Sequence, residues 1–154
     1  MNKDIENLFK NKYDYIKLEN QLCFPLYACA KGIIRQYRKP LEKINLTYTQ
    51  YIVMMVLWEF VSVTEKELGK KVYLDSGTLA PLLKKLEKQG LIKRTRNKKN
   101  ERILDLTLTD KGKKLKDKAL EVPYAMRGCV NLTVEEMKTL RKLLNKAIGN
   151  IKEK

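Results

Sequence analysis

TEKELGKKVYLDSGTLAPLLKKLEKQGLIKRTRNKKNERILDLTL, residues Thr64 to Leu108, reads as helix, turn, helix and then a two-stranded basic hairpin. Thr64 and Glu67 have capping-box spacing, in which each side chain satisfies a backbone donor at a helix start, so a short helix is predicted from about Glu65 to Val72. Asp75 offers a second cap, and Leu79, Leu82, Leu83 and Leu86 recur at i, i+3, i+4 and i+7, placing them on one face of a helix that ends at Gly90. At roughly 1.5 Å per residue this second helix spans about 20 Å. Its opposite face carries Ser76, Thr78, Lys84, Lys85 and Lys88, and a helix of that size fits a DNA major groove.

Leu91 to Thr95 and Ile103 to Leu108 are the predicted strands, with Asn97 to Glu101 as a polar turn. Between Lys84 and Arg102 there are nine basic residues and two acidic ones. That excess beside a groove-sized helix is the footprint of a phosphate-binding surface.

The whole chain has 154 residues, a formal charge of +15 and 44% apolar residues. It is long enough for a core, and its charge favours a polyanion, with nucleic acid ahead of a membrane surface. No apolar run approaches the roughly 18 residues of a membrane span, and Met1 to Lys10 lacks a signal-peptide core. The chain is therefore expected in the cytoplasm, where Cys23, Cys29 and Cys129 rest as free thiols. Histidine is absent, which removes His-based catalysis and His metal sites. Without CxxC spacing or a Gly-rich phosphate loop, neither a metal nor a cofactor is expected.

Ile5, Leu8, Phe9 and Ile16 are spaced like a weak amphipathic helix. From about Lys17 to Arg38 a helix with a wide apolar face is predicted, one that needs a second subunit as well as its own core. Pro25 lies within that stretch and kinks or interrupts it. If the helix restarts there, Cys23 gains a helix N-terminus that favours its thiolate. Pro40 to Leu46 reads as a loop, followed by a helix capped by Thr47 and running through Phe60. Thr109 caps a lysine-rich helix from Asp110 to about Val122, and Pro123 and Gly128 break or bend the chain beyond it. Thr133 and Glu136 repeat the capping box before a final helix with Met137, Leu140, Leu144, Ala147, Ile148 and Ile151 on one stripe.

The fold class expected is mainly α with a small β-hairpin wing: a winged helix-turn-helix, homodimeric through its N- and C-terminal helices. Residues 1–46 would supply dimerisation and sensor helices, 47–108 the DNA-binding region and 109–154 further dimerisation helices, all within one compact domain. Two-fold symmetry favours a pseudo-palindromic double-stranded operator.

LENQLCFPLY (Leu18–Tyr27), LTYTQYIVMMVLWE (Leu46–Glu59), LDSGTLAPLLKKLEKQGLIKRTR (Leu74–Arg96) and ERILDLTLTDKG (Glu101–Gly112) together resemble the MarR family of winged-helix regulators. More narrowly, they resemble its organic-hydroperoxide-sensing branch, OhrR. The resemblance implies that Cys23 is the peroxidatic cysteine and that Tyr27, Tyr37 and Tyr48 wall its thiolate pocket, the latter two from the other protomer. VPYAMRGCVNLTVEEM (Val122–Met137) resembles the region around a resolving cysteine, which implies that Cys129 closes an intersubunit disulfide and releases DNA. Cys29 lies about 9 Å from Cys23 along an intact helix, beyond a disulfide reach of about 7 Å, and is expected to be a packed, inert thiol.

For DNA contact the candidates are Ser76, Thr78, Lys84 and Lys85 on the reading helix, Arg94 and Arg96 on the first strand, and Arg102 in the wing. Asn100 departs from the family's Asp-x-Arg wing pattern, Ala80 stands where threonine is common, and Pro25 is atypical. Two other readings stay open at this point: a MarR-type repressor released by a small aromatic or lipophilic ligand, and a thiol-dependent redox enzyme.

Overall fold

The computed structural model describes residues 11–97 and 103–151. Two short 3-10 helices, Lys12–Ile16 and Leu18–Asn20, lead into α1 (Cys23–Glu42). Helix α2 (Tyr48–Glu59), strand β1 (Val63–Thr64), α3 (Glu65–Val72), α4 (Ser76–Lys88), β2 (Ile92–Arg96) and β3 (Leu104–Leu108) form the winged helix-turn-helix. Helices α5 (Asp110–Ala119), α6 (Glu121–Ala125) and α7 (Val134–Asn150) complete the chain.

The helix starts follow from the caps. Thr47 and Gln50 exchange reciprocal bonds at the head of α2, with Thr47 N–H donating to Gln50 Oε1 at 2.8 Å. Thr64 and Glu67 do the same for α3, and Thr133 and Glu136 for α7. At the head of α4, Asp75 Oδ1 accepts from Thr78 N–H at 2.9 Å. Helix α4 ends at Lys88, two residues before Gly90, whose φ of +72° allows a Schellman turn. In that turn Leu91 N–H donates to Leu86 O and Gly90 N–H to Glu87 O.

One core joins residues from the end of α1 to α6, between Leu41 and Val122. Leu41, Ile44 and Leu46 meet Val53, Met54 and Leu57 of α2, Leu68 of α3, the α4 leucines, Leu106 of β3, and Ala119 and Val122 near the C-terminal end. The α3–α4 crossing is close enough that a Cβ on Gly69 would lie 2.9 Å from Leu74 O. A tighter approach occurs at Gly112, where a Cβ would stand 2.0 Å from Leu91 O. The Gly112 carbonyl also accepts the Trp58 indole N–H at 2.9 Å, so α5 is pinned to both α2 and the base of β2.

Several boundaries differ from expectation. Helix α1 starts at Cys23 rather than Lys17, so the stretch is interrupted at Gln21 and Leu22 and Cys23 stands at the restart, with Pro25 in the new first turn, where a missing N–H costs little. At its other end the helix runs through Pro40 to Glu42, so the loop expected from Pro40 is shorter. The lysine-rich helix stops at Ala119, whose carbonyl Pro123 leaves without its helical donor, and Pro123 itself lies in the separate α6. The sheet has three strands in the order β1-β3-β2, because Val63 pairs with Leu106 on the far side of the hairpin. Leu82 is only half-buried, leaving Leu79, Leu83 and Leu86 as the core line of α4. Ile5, Leu8, Phe9, Asn100 and Arg102 lie outside the described residues, and Ile16 is exposed at the end of a 3-10 helix.

Gly112→Ala is expected to destabilise the fold by about 3 kcal/mol, the upper end of overpacking costs, because backbone cannot yield as a flexible side chain does. Gly149→Ala, with nothing within 4 Å of its Cβ, should leave stability unchanged or raise it by up to about 1 kcal/mol. Urea unfolding of both variants checks this, and equal midpoints would contradict the close approach.

Candidate DNA interface and thiol site

Leu79, Leu83 and Leu86 are at most 1% exposed, and their burial fixes which face of α4 points outward. Ser76, Thr78, Lys84 and Lys85 all lie exposed on that helix, as expected. Thr78 also braces the cap, since its hydroxyl donates to Asp75 Oδ2 at 2.8 Å, and this bond holds the Asp75 carboxyl below the usual carboxylate range. Only the remaining lone pairs of Thr78 can meet an incoming donor.

Arg94 is turned inward. Its Nε and Nη2 both reach Glu87 Oε2, at 2.9 and 2.7 Å, and its side chain is 19% exposed. This guanidinium therefore ties β2 to α4, setting the angle between wing and reading helix, and its charge is already matched by a carboxylate. The same contact lowers the Glu87 pKa, chiefly through the side-chain hydrogen bond. Arg96 is exposed at the end of β2, and Arg102 is outside the described residues.

An open groove of about 740 Å³ runs between α3, the start of α4 and the base of β3. Lys66, Lys70, Tyr73 and Ser76 line it, with Ile103 and Leu104 on the wing side. Lys66 and Lys70 were not among the residues predicted from sequence. Their i, i+4 spacing on the polar side of α3 was the available signal, and it sits beside the start of the reading helix.

The thiol residues fall into two groups. Cys23 is the first residue of α1 and exposed, with Tyr27 exposed one turn later. Tyr37 lies 14 residues after Cys23, about 21 Å along the helix axis. Its ring is 4.9 Å from that of Tyr48 and 6.1 Å from that of Tyr51, with Trp58 beyond Tyr51 at 6.2 Å. Burial, followed by Tyr48, Tyr51 and the Cys129 thiol, pushes the Tyr37 hydroxyl pKa up, so it remains a proton donor at neutral pH.

Cys129 belongs to this second group. It is half-buried in the turn after α6, where Gly128 takes φ +77° and Gln36 Nε2 donates to the Cys129 carbonyl at 3.4 Å. One chain thus gathers Tyr37, Tyr48 and Cys129 at one place and leaves Cys23 and Tyr27 at another. Cys29 is exposed on α1 rather than packed, because this part of the helix has no cover from its own chain. Among the described residues no group of His, Cys, Asp or Glu could hold a metal ion, and no helix is long and apolar enough to cross a membrane.

A capped reading helix seated on a leucine core, a three-stranded wing and a cationic outer face define a winged-helix DNA-binding protein. Residues 35–119 match a family described as transcriptional regulator SarA/Rot. Over 145 residues the chain is 43% identical to the organic hydroperoxide resistance transcriptional regulator of Bacillus subtilis, covering 94% of this chain and 99% of that one. Among solved structures, reduced AbfR bound to DNA, a Staphylococcus epidermidis protein, superimposes with a TM-score of 0.75 at 34% identity, covering 93% of this chain and all of that one. Disulfide-formed AbfR, also 34% identical and covering 95% and 97%, superimposes less well, at 0.61. The chain belongs to the SarA/Rot type of MarR-like winged-helix transcriptional regulators. It is a DNA-binding transcriptional regulator, and its relatives are regulators rather than enzymes.

Because Glu87 has a lowered folded-state pKa, its contact with Arg94 stabilises above the ordinary carboxylate range and is lost as pH falls through the lowered value. Glu87→Gln should therefore be less stable than the native chain at pH 7 and converge with it near pH 3. Urea midpoints at the two pH values test this, and a constant gap between the proteins would contradict the assignment.

Proposed function

We propose that this regulator senses organic hydroperoxide through Cys23 and releases a pseudo-palindromic operator when Cys23 is oxidised. The observation that carries the reading is the separation within one chain of Cys23 and Tyr27 from Tyr37, Tyr48 and Cys129, joined by a helix whose apolar side chains lie open. Leu22, Phe24, Leu26, Tyr27 and Ile34 are exposed along or just before α1, and Val134, Met137, Leu140, Leu143 and Ile148 along α7. A second copy covering these faces would bring each Cys23 against the partner's tyrosine and Cys129 group. The names of the Bacillus subtilis and AbfR relatives support the same direction.

In the resting dimer Cys23 reacts as its thiolate at the N-terminus of α1, and the Tyr37 and Tyr48 hydroxyls of the other chain donate to it. The thiolate attacks one peroxide oxygen. The O–O bond breaks, sulfur is oxidised to the sulfenic acid, and the leaving alkoxide takes a proton to become an alcohol. Cys129 of the opposite chain then displaces hydroxide from sulfur, which leaves as water with the Cys129 proton, and a disulfide forms. Drawing the two cysteines together moves the winged lobes off half-site spacing. A thiol reductant reverses the bond. The superposition is better on DNA-bound AbfR, reduced or overoxidized, than on its disulfide form, which supports disulfide closure rather than sulfur oxidation alone as the step that moves the lobes.

Titrating cumene hydroperoxide into the complex with a pseudo-palindromic duplex selected from random sequence should weaken binding roughly 10-fold or more, equivalent to about 1.4 kcal/mol, with recovery in dithiothreitol. Cys23→Ser should be insensitive, and a covalent dimer on non-reducing electrophoresis should disappear in Cys129→Ser. Equal release from Cys23→Ser would assign release to another group or to a bound ligand.

A further inference from the structure

Three cations flank Cys23 between residues 11 and 31, and each is held differently. Lys17 is bound by Asp14 at 2.7 Å, and Lys12 lies over the Tyr13 ring at 5.0 Å. Lys31 is the third. Its Nζ donates to Tyr27 Oη at 3.2 Å while standing 5.4 Å from that ring's centroid.

Cys23, Tyr27 and Lys31 occur at i, i+4 and i+8 of the continuous helix α1, so they stack on one face. Helical side chains lean toward the N-terminus, which carries Lys31 back over Tyr27 and Tyr27 back toward Cys23. An ammonium has donors only. Where it meets the phenol, the phenol oxygen must accept, which leaves the single hydroxyl hydrogen for another acceptor.

We propose that Lys31 is a positioning residue for the Cys23 reaction, holding the Tyr27 hydroxyl as a donor to the thiolate and adding a positive charge two turns away. The inference rests on Cys23 as the reacting thiol. In the step it serves, Cys23 thiolate plus hydroperoxide plus one proton gives Cys23 sulfenic acid plus alcohol. The sulfur loses two electrons and the O–O bond takes them. Lys31 stabilises the thiolate before attack and is unchanged afterwards, and the proton for the alkoxide comes from solvent. Glu19, in the 3-10 helix before α1, acts on Lys17.

The test uses the full chain with Cys29 and Cys129 replaced by serine, so that Cys23 is the one remaining thiol. Cumene hydroperoxide is the oxidant, and sulfenic acid is trapped with dimedone and measured by mass spectrometry. Lys31→Met should slow sulfenic acid formation about 3- to 10-fold at pH 7 and raise the pH midpoint of iodoacetamide alkylation by about half a unit to one unit. Lys31→Arg should restore most of the rate. In a Tyr27→Phe background the Lys31→Met effect should shrink below about twofold, because the relay has already been cut.

An unchanged rate and midpoint in Lys31→Met would overturn the proposal, as would an effect of the same size with and without the Tyr27 hydroxyl. Failure of the sensing reading looks different. There, hydroperoxide would oxidise Cys23 in the native chain without loss of operator binding, while the variant rates still decide the role of Lys31.

Discussion

The apolar faces of α1 and α7 find almost nothing to pack against within their own chain. Of the twenty residues of α1 only Leu41 is buried, and α7 has no buried residue over seventeen. Most helical stability in proteins comes from packing an amphipathic face, and a side chain such as Met137 or Leu140 is worth about 1.5–3 kcal/mol when fully covered. In the proposed dimer that missing burial holds the two reading helices apart at a set distance. It would also place Cys23, the proposed sensing thiol, at the same surface, so that oxidation there acts on the contact that fixes the spacing.

The DNA lobe is built the opposite way. Its core leucines are sealed, its helix starts are capped by side chains, and its joints are made by backbone approaches that admit no side chain, as at Gly69 and Gly112. Arg94 and Glu87 clamp wing to helix, while Lys111 Nζ donates to the Gln89 carbonyl at 2.7 Å, meeting the C-terminal end of α4 with a positive charge. A lobe this firmly joined moves as one piece. Any change of spacing between two such lobes must then come from the helices that carry them.

Most of this lobe was legible in the sequence because caps and leucine periodicity are local signals. Thr64 with Glu67, Asp75 and Gly90 marked α3 and α4 nearly to the residue. Val63 and Thr64 were missed as a strand, since two residues are too few for an alternating pattern and their pairing with β3 is non-local. Pro40 was misread because a proline's effect depends on its distance from a helix end, which spacing alone did not give. Arg94 looked like every other cation of its run, and only the fold brings Glu87 beneath it. The split of the thiol residues into two groups became visible only once α1 was seen to run unbroken between Cys23 and Tyr37. Lys31 carried no motif at all, and its contact with Tyr27 is a rotamer rather than a pattern.

Sedimentation velocity of the reduced chain at micromolar concentration tests the central claim most directly, because every later step needs two copies joined by α1 and α7. The account predicts a single species of twice the 18.1 kDa chain mass, split to the chain mass by charged substitutions at Met137 and Leu140 that leave the helical content intact. A native chain that sediments at 18.1 kDa throughout would contradict it.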